Sequence, residues 1–141
     1  MKANELMIGD WVRKLEPGGH TIPVKVTGII DEDNSVLFER RDGVHGVIDI
    51  KGIEPIPLTK EILEKNGFVD MDGGQYRWFS SDDECYYFGF SSIYYYPHSK
   101  FLNVTKEHQS GNQQQVKGYY EYVQGLQHAI KFCGIDKEIE L

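Results

Sequence analysis

Five histidines and one acidic run are the groups in this chain best suited to do chemistry, and their spacing decides what they can do. His45 and Asp49 fall on the same side of one extended segment, but four residues at about 3.3 Å each hold them about 13 Å apart, beyond hydrogen-bond reach. They form no dyad alone. His98 and His108 meet only if the fold brings them together, and no HxH, HxxxH or paired-cysteine spacing completes a zinc set around them. His20 beside a glycine turn and His128 in mid-helix read as surface residues. Asp82-Asp83-Glu84 offers carboxylates to a hard cation, yet three adjacent residues on a hairpin do not converge, and the spacing of a calcium loop is absent. No metal or other cofactor is expected.

Nucleophilic chemistry has no better footing. There is no GxSxG elbow, no CxxC and no cysteine beside a histidine. Cys85 lies in an aromatic strand and Cys133 on the apolar face of a helix, where thiols behave as small hydrophobes. Gly18-Gly19 and Gly73-Gly74 lack the flanking pattern of a phosphate-binding loop. No catalytic residue is assigned. An enzyme is the alternative, built on a pocket that brings together two of His45, His98, His108, Asp82 and Glu84.

The elements that would position these groups fall into two stretches. Residues 1–57 read as short strands: Trp11 to Arg13, Ile22 to Ile30, then Ser35 to Arg40 joined to Val44 to Ile50 across the Asp42-Gly43 hairpin step. Four or five such strands in so short a span predict a small SH3-like β-barrel. Pro55-Ile56-Pro57 stiffens a connector. A helix follows, capped by Thr59, with Glu61 in its first turn, Ile62 and Leu63 on its apolar stripe and Asn66-Gly67 as its stop.

Residues 58–141 continue with an aromatic sheet. Tyr76 to Phe79, Cys85 to Phe90 and Ile93 to Tyr96 read as antiparallel strands, and the middle one is apolar on both faces. Glu107 to Lys117 is rich in glutamine and reads as a mobile loop. Tyr119, Tyr122, Val123, Leu126, Ile130 and Cys133 then recur at helical spacing, with Gly134 as stop and Ile135 folding back on the last turn. The fold class is α+β.

Charge and composition narrow the partners. The 141 residues are 40% hydrophobic and 26% charged, with 15 Lys and Arg against 22 Asp and Glu. The net charge of −7 repels phosphate backbones at long range and disfavours general nucleic-acid binding. No apolar run reaches the ~20 residues of a membrane span. Two separated cysteines and the absence of an apolar leader after Met1 point to the cytoplasm. What is left is the tyrosine-rich sheet, since tyrosine joins a large apolar body to a polar tip. Tyr86, Phe88, Tyr94, Tyr95 and Tyr96 are the candidate binding residues, for a protein partner or for a second copy of the chain.

Three stretches resemble a family. Lys2 to Val12, KANELMIGDWV, is similar to the KANELRIGNWV opening of small uncharacterised proteins encoded by prophages and conjugative elements of Bacteroides-like bacteria. Ile56 to Phe68, IPLTKEILEKNGF, resembles their IPLTEEILLKNGF segment, and Tyr122-Val123 with Leu126-Gln127 echoes their closing helix, YVHQLQNLYFALTGEEL. Met7 replaces Arg, Asp10 replaces Asn, Gln124 replaces His and His128 replaces Asn. The resemblance implies a mobile-element accessory protein in a cytoplasmic setting and transfers no catalytic residue. The residues favour a non-catalytic binding or adaptor module. Besides the enzyme, which would be a small one of mobile DNA or cell-wall metabolism, the other alternative is weak nucleic-acid contact through the barrel by Lys25, Arg40 and Arg41.

Overall fold

Alternating apolar and polar residues from Trp11 onward produce strands with one buried face, and in a computed structural model of the protein these strands pair in chain order. The structure describes residues 5–72, 75–81, 84–90, 101–106, 113–117 and 121–141. β1 (Trp11–Leu15), β2 (Thr21–Ile30), β3 (Ser35–Arg40) and β4 (His45–Asp49) form an antiparallel meander. Asp49 then caps a single 3-10 turn, Ile50–Gly52, by accepting the Lys51 N–H at 2.8 Å. β5 (Ile53–Pro55) returns to pair with β1, which gives the order β4-β3-β2-β1-β5. Pro55 is tolerated because β5 is an edge strand and its missing N–H costs no second partner. Among the described residues the sheet is not closed.

Every second side chain of these strands enters one core. Leu6, Val12, Val24, Val26, Val36, Phe38, Ile50 and Ile53 are buried together, with Ile22, Ile29 and Ile48 at the margin. Burial of such side chains stabilises by about 1.5–3 kcal/mol each before entropy is counted. Gly46 stands opposite Phe38 in the register, and a Cβ there would lie 2.6 Å from the tip of the Phe38 ring. The ring occupies the space that a side chain would need. Lys14, also on the inward side of β1, lays its stem toward Phe38, keeps Nζ 5.6 Å from that ring and pairs with Glu16 at 2.8 Å.

α1 (Lys60–Lys65) starts as its capping residue predicts, with Thr59 Oγ1 accepting the Ile62 N–H at 3.3 Å. It stops at Gly67, whose φ of 85° few other residues adopt. A second antiparallel sheet follows: β6 (Val69–Asp70), β7 (Gln75–Ser81), β8 (Glu84–Phe90), β9 (Phe101–Lys106) and β10 (Gln113–Lys117), in the order β10-β9-β8-β7-β6. The predicted strand Ile93 to Tyr96 lies outside the described residues. Gln113–Lys117, which the sequence places in a loop, is instead paired with β9 from Gln113 opposite Thr105 to Lys117 opposite Phe101. Main-chain hydrogen bonds form regardless of side chain, and here they override the low strand preference of glutamine.

α2 (Val123–Phe132) buries Val123, Leu126, Ala129 and Ile130. Gly134 ends it in the left-handed conformation, and the N–H of the buried Ile135 donates to the Ile130 carbonyl at 3.0 Å, the fold-back that the sequence predicts. Tyr122, expected on the helix, makes a strand bridge with Pro57 instead. Among the described residues, the two antiparallel sheets with two helices are an α+β arrangement. The chain divides into two compact units, residues 1–57 with Tyr122–Gln124, and residues 58–121 with 125–141. No helix among the described residues is long and apolar enough to cross a membrane.

Candidate binding surfaces

The register of the second sheet sorts its aromatic residues by face. Tyr76, Trp78, Tyr86 and Phe88 share one side, because Tyr76 opposes Phe88 and Trp78 opposes Tyr86. This side is covered. Phe88 has no accessible surface and meets Phe68 edge-on, with centroids 5.2 Å apart, while Trp78 stacks between Phe68 at 6.3 Å and Tyr86 at 5.9 Å. Lys106 Nζ lies 5.8 Å from the Tyr86 ring and Lys137 Nζ 5.4 Å from the Trp78 ring. Of the residues predicted to bind, Phe88 is thus buried inside its unit and Tyr86 is half-buried in an aromatic stack. Tyr94, Tyr95 and Tyr96 lie outside the described residues.

The opposite side of the same sheet is exposed at β6 and β7, while Cys85 on β8 is buried there. Val69 opposes Arg77, Arg77 opposes Tyr87, and Phe79 opposes the buried Cys85. Phe79 leaves 49% of its surface exposed and Val69 44%. The Arg77 guanidinium sits 4.9 Å above the Phe79 ring, a cation held by a π face at the surface. Strict alternation along β7 carried this signal: if Tyr76 and Trp78 point inward, Arg77 and Phe79 must point outward.

In the first unit, Trp11, Lys25, Glu39 and His45 lie in one register line across β1 to β4, on the side away from the core. Lys25 Nζ is 5.5 Å and Arg41 Cζ 5.6 Å from the centre of the Trp11 ring. His45 Nε2 is 4.0 Å from Glu39 Oε1, a pair that is wide and largely exposed. Asp49 lies on the same face of β4, two positions beyond Val47, so no dyad with His45 arises. His98, His108 and Asp82 fall outside the described residues, as does the side chain of Glu84. Among the described residues, no three His, Cys, Asp or Glu side chains converge to hold a metal ion.

The Asp72 N–H, donating at 2.9 Å, and then Lys60, at 3.3 Å, hold the Asp70 carboxyl below the ordinary range, and Asp70 in turn raises Lys60. Lys14 lowers Glu16 through their hydrogen bond. Burial raises the Cys133 thiol, which keeps it protonated and unreactive near neutrality. Compared with protein-family models, characterised proteins and solved structures, the chain finds no match.

Proposed function

We propose that the protein is a non-catalytic binding module of a mobile genetic element, working in the cytoplasm, whose second sheet contacts a protein partner. The observation that carries this reading is the outward face of β7. A half-exposed phenylalanine gripped by an arginine, beside Val69 and Tyr87, joins a rigid apolar anchor to a fixed cation. Aromatic residues and arginine are the residue types that carry most binding energy at protein interfaces. The partner then offers an apolar pocket for Phe79 with a carboxylate or carbonyl for Arg77. We read the first unit as SH3-like in its strand order, with β5 returning beside β1 after a single 3-10 turn and the sheet left open, and this order favours the adaptor reading.

The test is affinity capture from the native host with wild-type protein, Phe79→Asp and the control Glu61→Ala, alongside light scattering on each. A partner, or a second copy, retained by wild type and control but weakened at least about ten-fold by Phe79→Asp supports the reading. Equal retention by all three proteins, or a monomer that captures nothing, overturns it.

A further inference from the structure

The first sheet has two unlike edges. β5 borders one side with Pro55, which withholds a donor, and with Glu54, which lies 3.7 Å from Arg13. β4 borders the other with His45-Gly46-Val47-Ile48-Asp49, and within it there is no proline, no lysine and no bulge. Those are the devices that keep an edge from adding a further strand. The main-chain groups of β4 divide by their spacing. The Arg40 N–H donates to the Val44 carbonyl at 2.8 Å and the Ile50 N–H to the Asn34 carbonyl at 2.9 Å, so residues 44, 46, 48 and 50 turn their main chain toward β3. His45, Val47 and Asp49 turn theirs to the open edge, where they have no partner among the described residues.

The side chains of the same residues say what fits there. All lie on the outward face and are exposed, Val47 to 60%. Laid antiparallel against itself with Val47 facing Val47, the strand sets His45 of each copy opposite Asp49 of the other. Every main-chain group on the open edge of β4 then finds a partner, whereas a shift by two residues leaves fewer facing pairs and sets His45 or Asp49 against Val47. His45, already 4.0 Å from Glu39, gains a second carboxylate. Asp49 keeps Oδ1 on the Lys51 N–H at 2.8 Å and offers Oδ2. On the same face Leu37 opposes Val47 and lies over Gly28, where a Cβ would come 2.7 Å from Leu37 Cδ1. The pairing runs the Leu37 and Val47 rows of both copies into one apolar strip.

We propose that β4 pairs with β4 of a second copy of this chain, joining two five-stranded sheets into one. Five residues a side bury less than the ~1,200 Å² of a stable complex, and copies of net charge −7 repel, so the dimer is weak and forms at high concentration. The edge belongs to the first unit and Phe79 to the second, so either proposal can fail without the other.

The full chain is followed by sedimentation equilibrium at about 0.15 M salt, where charge repulsion is screened, over a series reaching millimolar protein. A monomer–dimer equilibrium is expected. Val47→Lys puts like charges opposite each other on the two-fold axis and should weaken it at least about five-fold, while Leu15→Lys, which adds the same charge on β1, should change it less than two-fold. At pH 8, where the imidazole carries little charge, His45→Lys should tighten the dimer about two- to five-fold. In a Cys133→Ser background, Val47→Cys places thiols on residues about 5.5 Å apart, within disulfide reach, and should give a covalent dimer with diamide, whereas Val44→Cys should not. Far-UV circular dichroism confirms that each variant is folded, and the cross-link tests the register if Val47→Lys does not fold. A monomer at the highest concentration, a dimer indifferent to Val47→Lys, a His45→Lys dimer no tighter than wild type, or equal cross-linking of the two cysteine variants overturns the proposal.

Discussion

Asn66 does the work of a strand with a side chain. Its Nδ2 donates to the Ile62 carbonyl at 2.8 Å and to the Glu140 carbonyl at 2.7 Å, and its Oδ1 accepts the Glu140 N–H at 2.7 Å. Asn66→Ala removes the side chain that pairs with both main-chain groups of residue 140, and chemical denaturation should show a loss of about 1–3 kcal/mol. Asn66→Asp, which keeps the acceptor and loses both donors, should lose a comparable amount. The sequence makes Asn66 legible as the end of a helix, but not as a clamp, because its partner lies 74 residues away. Gly46 was equally silent: nothing nearby says that the Phe38 ring crosses it. Gly46→Ala should cost about 1–3 kcal/mol, read by thermal unfolding, since the ring must leave its place. The same limit explains Phe88. A strand apolar on both faces shows that both sides have uses without showing which is covered, and the register is what separates Phe88 from Phe79.

At the scale of elements, ends were more legible than pairings. Thr59, Gly67, Gly134 and the Asp42-Gly43 turn act where local chemistry places them, because caps and tight turns are decided within a few residues. Thr59→Ala should destabilise the second unit by about 1 kcal/mol in urea unfolding. β10 was hidden because its partner strand supplies the hydrogen bonds that its own composition does not advertise. The link between α1 and β6 gives a pH dependence of known sign. Asp70 binds its proton less readily in the folded chain than in the unfolded one, so its contribution is present above the ordinary carboxylate range and is lost as acidification passes through its lowered folded value. Stability measured from pH 6 down to 2 should therefore fall less steeply in Asp70→Asn than in wild type.

For the whole molecule, charge is the property that the composition states most directly. With a net charge of −7 and an isoelectric point near 5.2, solubility followed by light scattering should pass through a minimum close to that pH and recover on either side. The α+β class, with strands first and the aromatic sheet second, was readable because alternation and turn residues are local. The membership of each unit was not. Tyr122–Gln124 belong with residues 1–57, where the Val123 N–H donates to the Ile56 carbonyl at 2.9 Å and Gln124 reaches the Glu5 carbonyl at 3.4 Å. This has a consequence for biosynthesis. A ribosome adding about 5–20 residues per second releases the meander and then spends several seconds on Leu58 to Glu121 before the closing triplet appears. The nascent first unit must wait, incomplete at Ile56, until Tyr122 to Gln124 have been made.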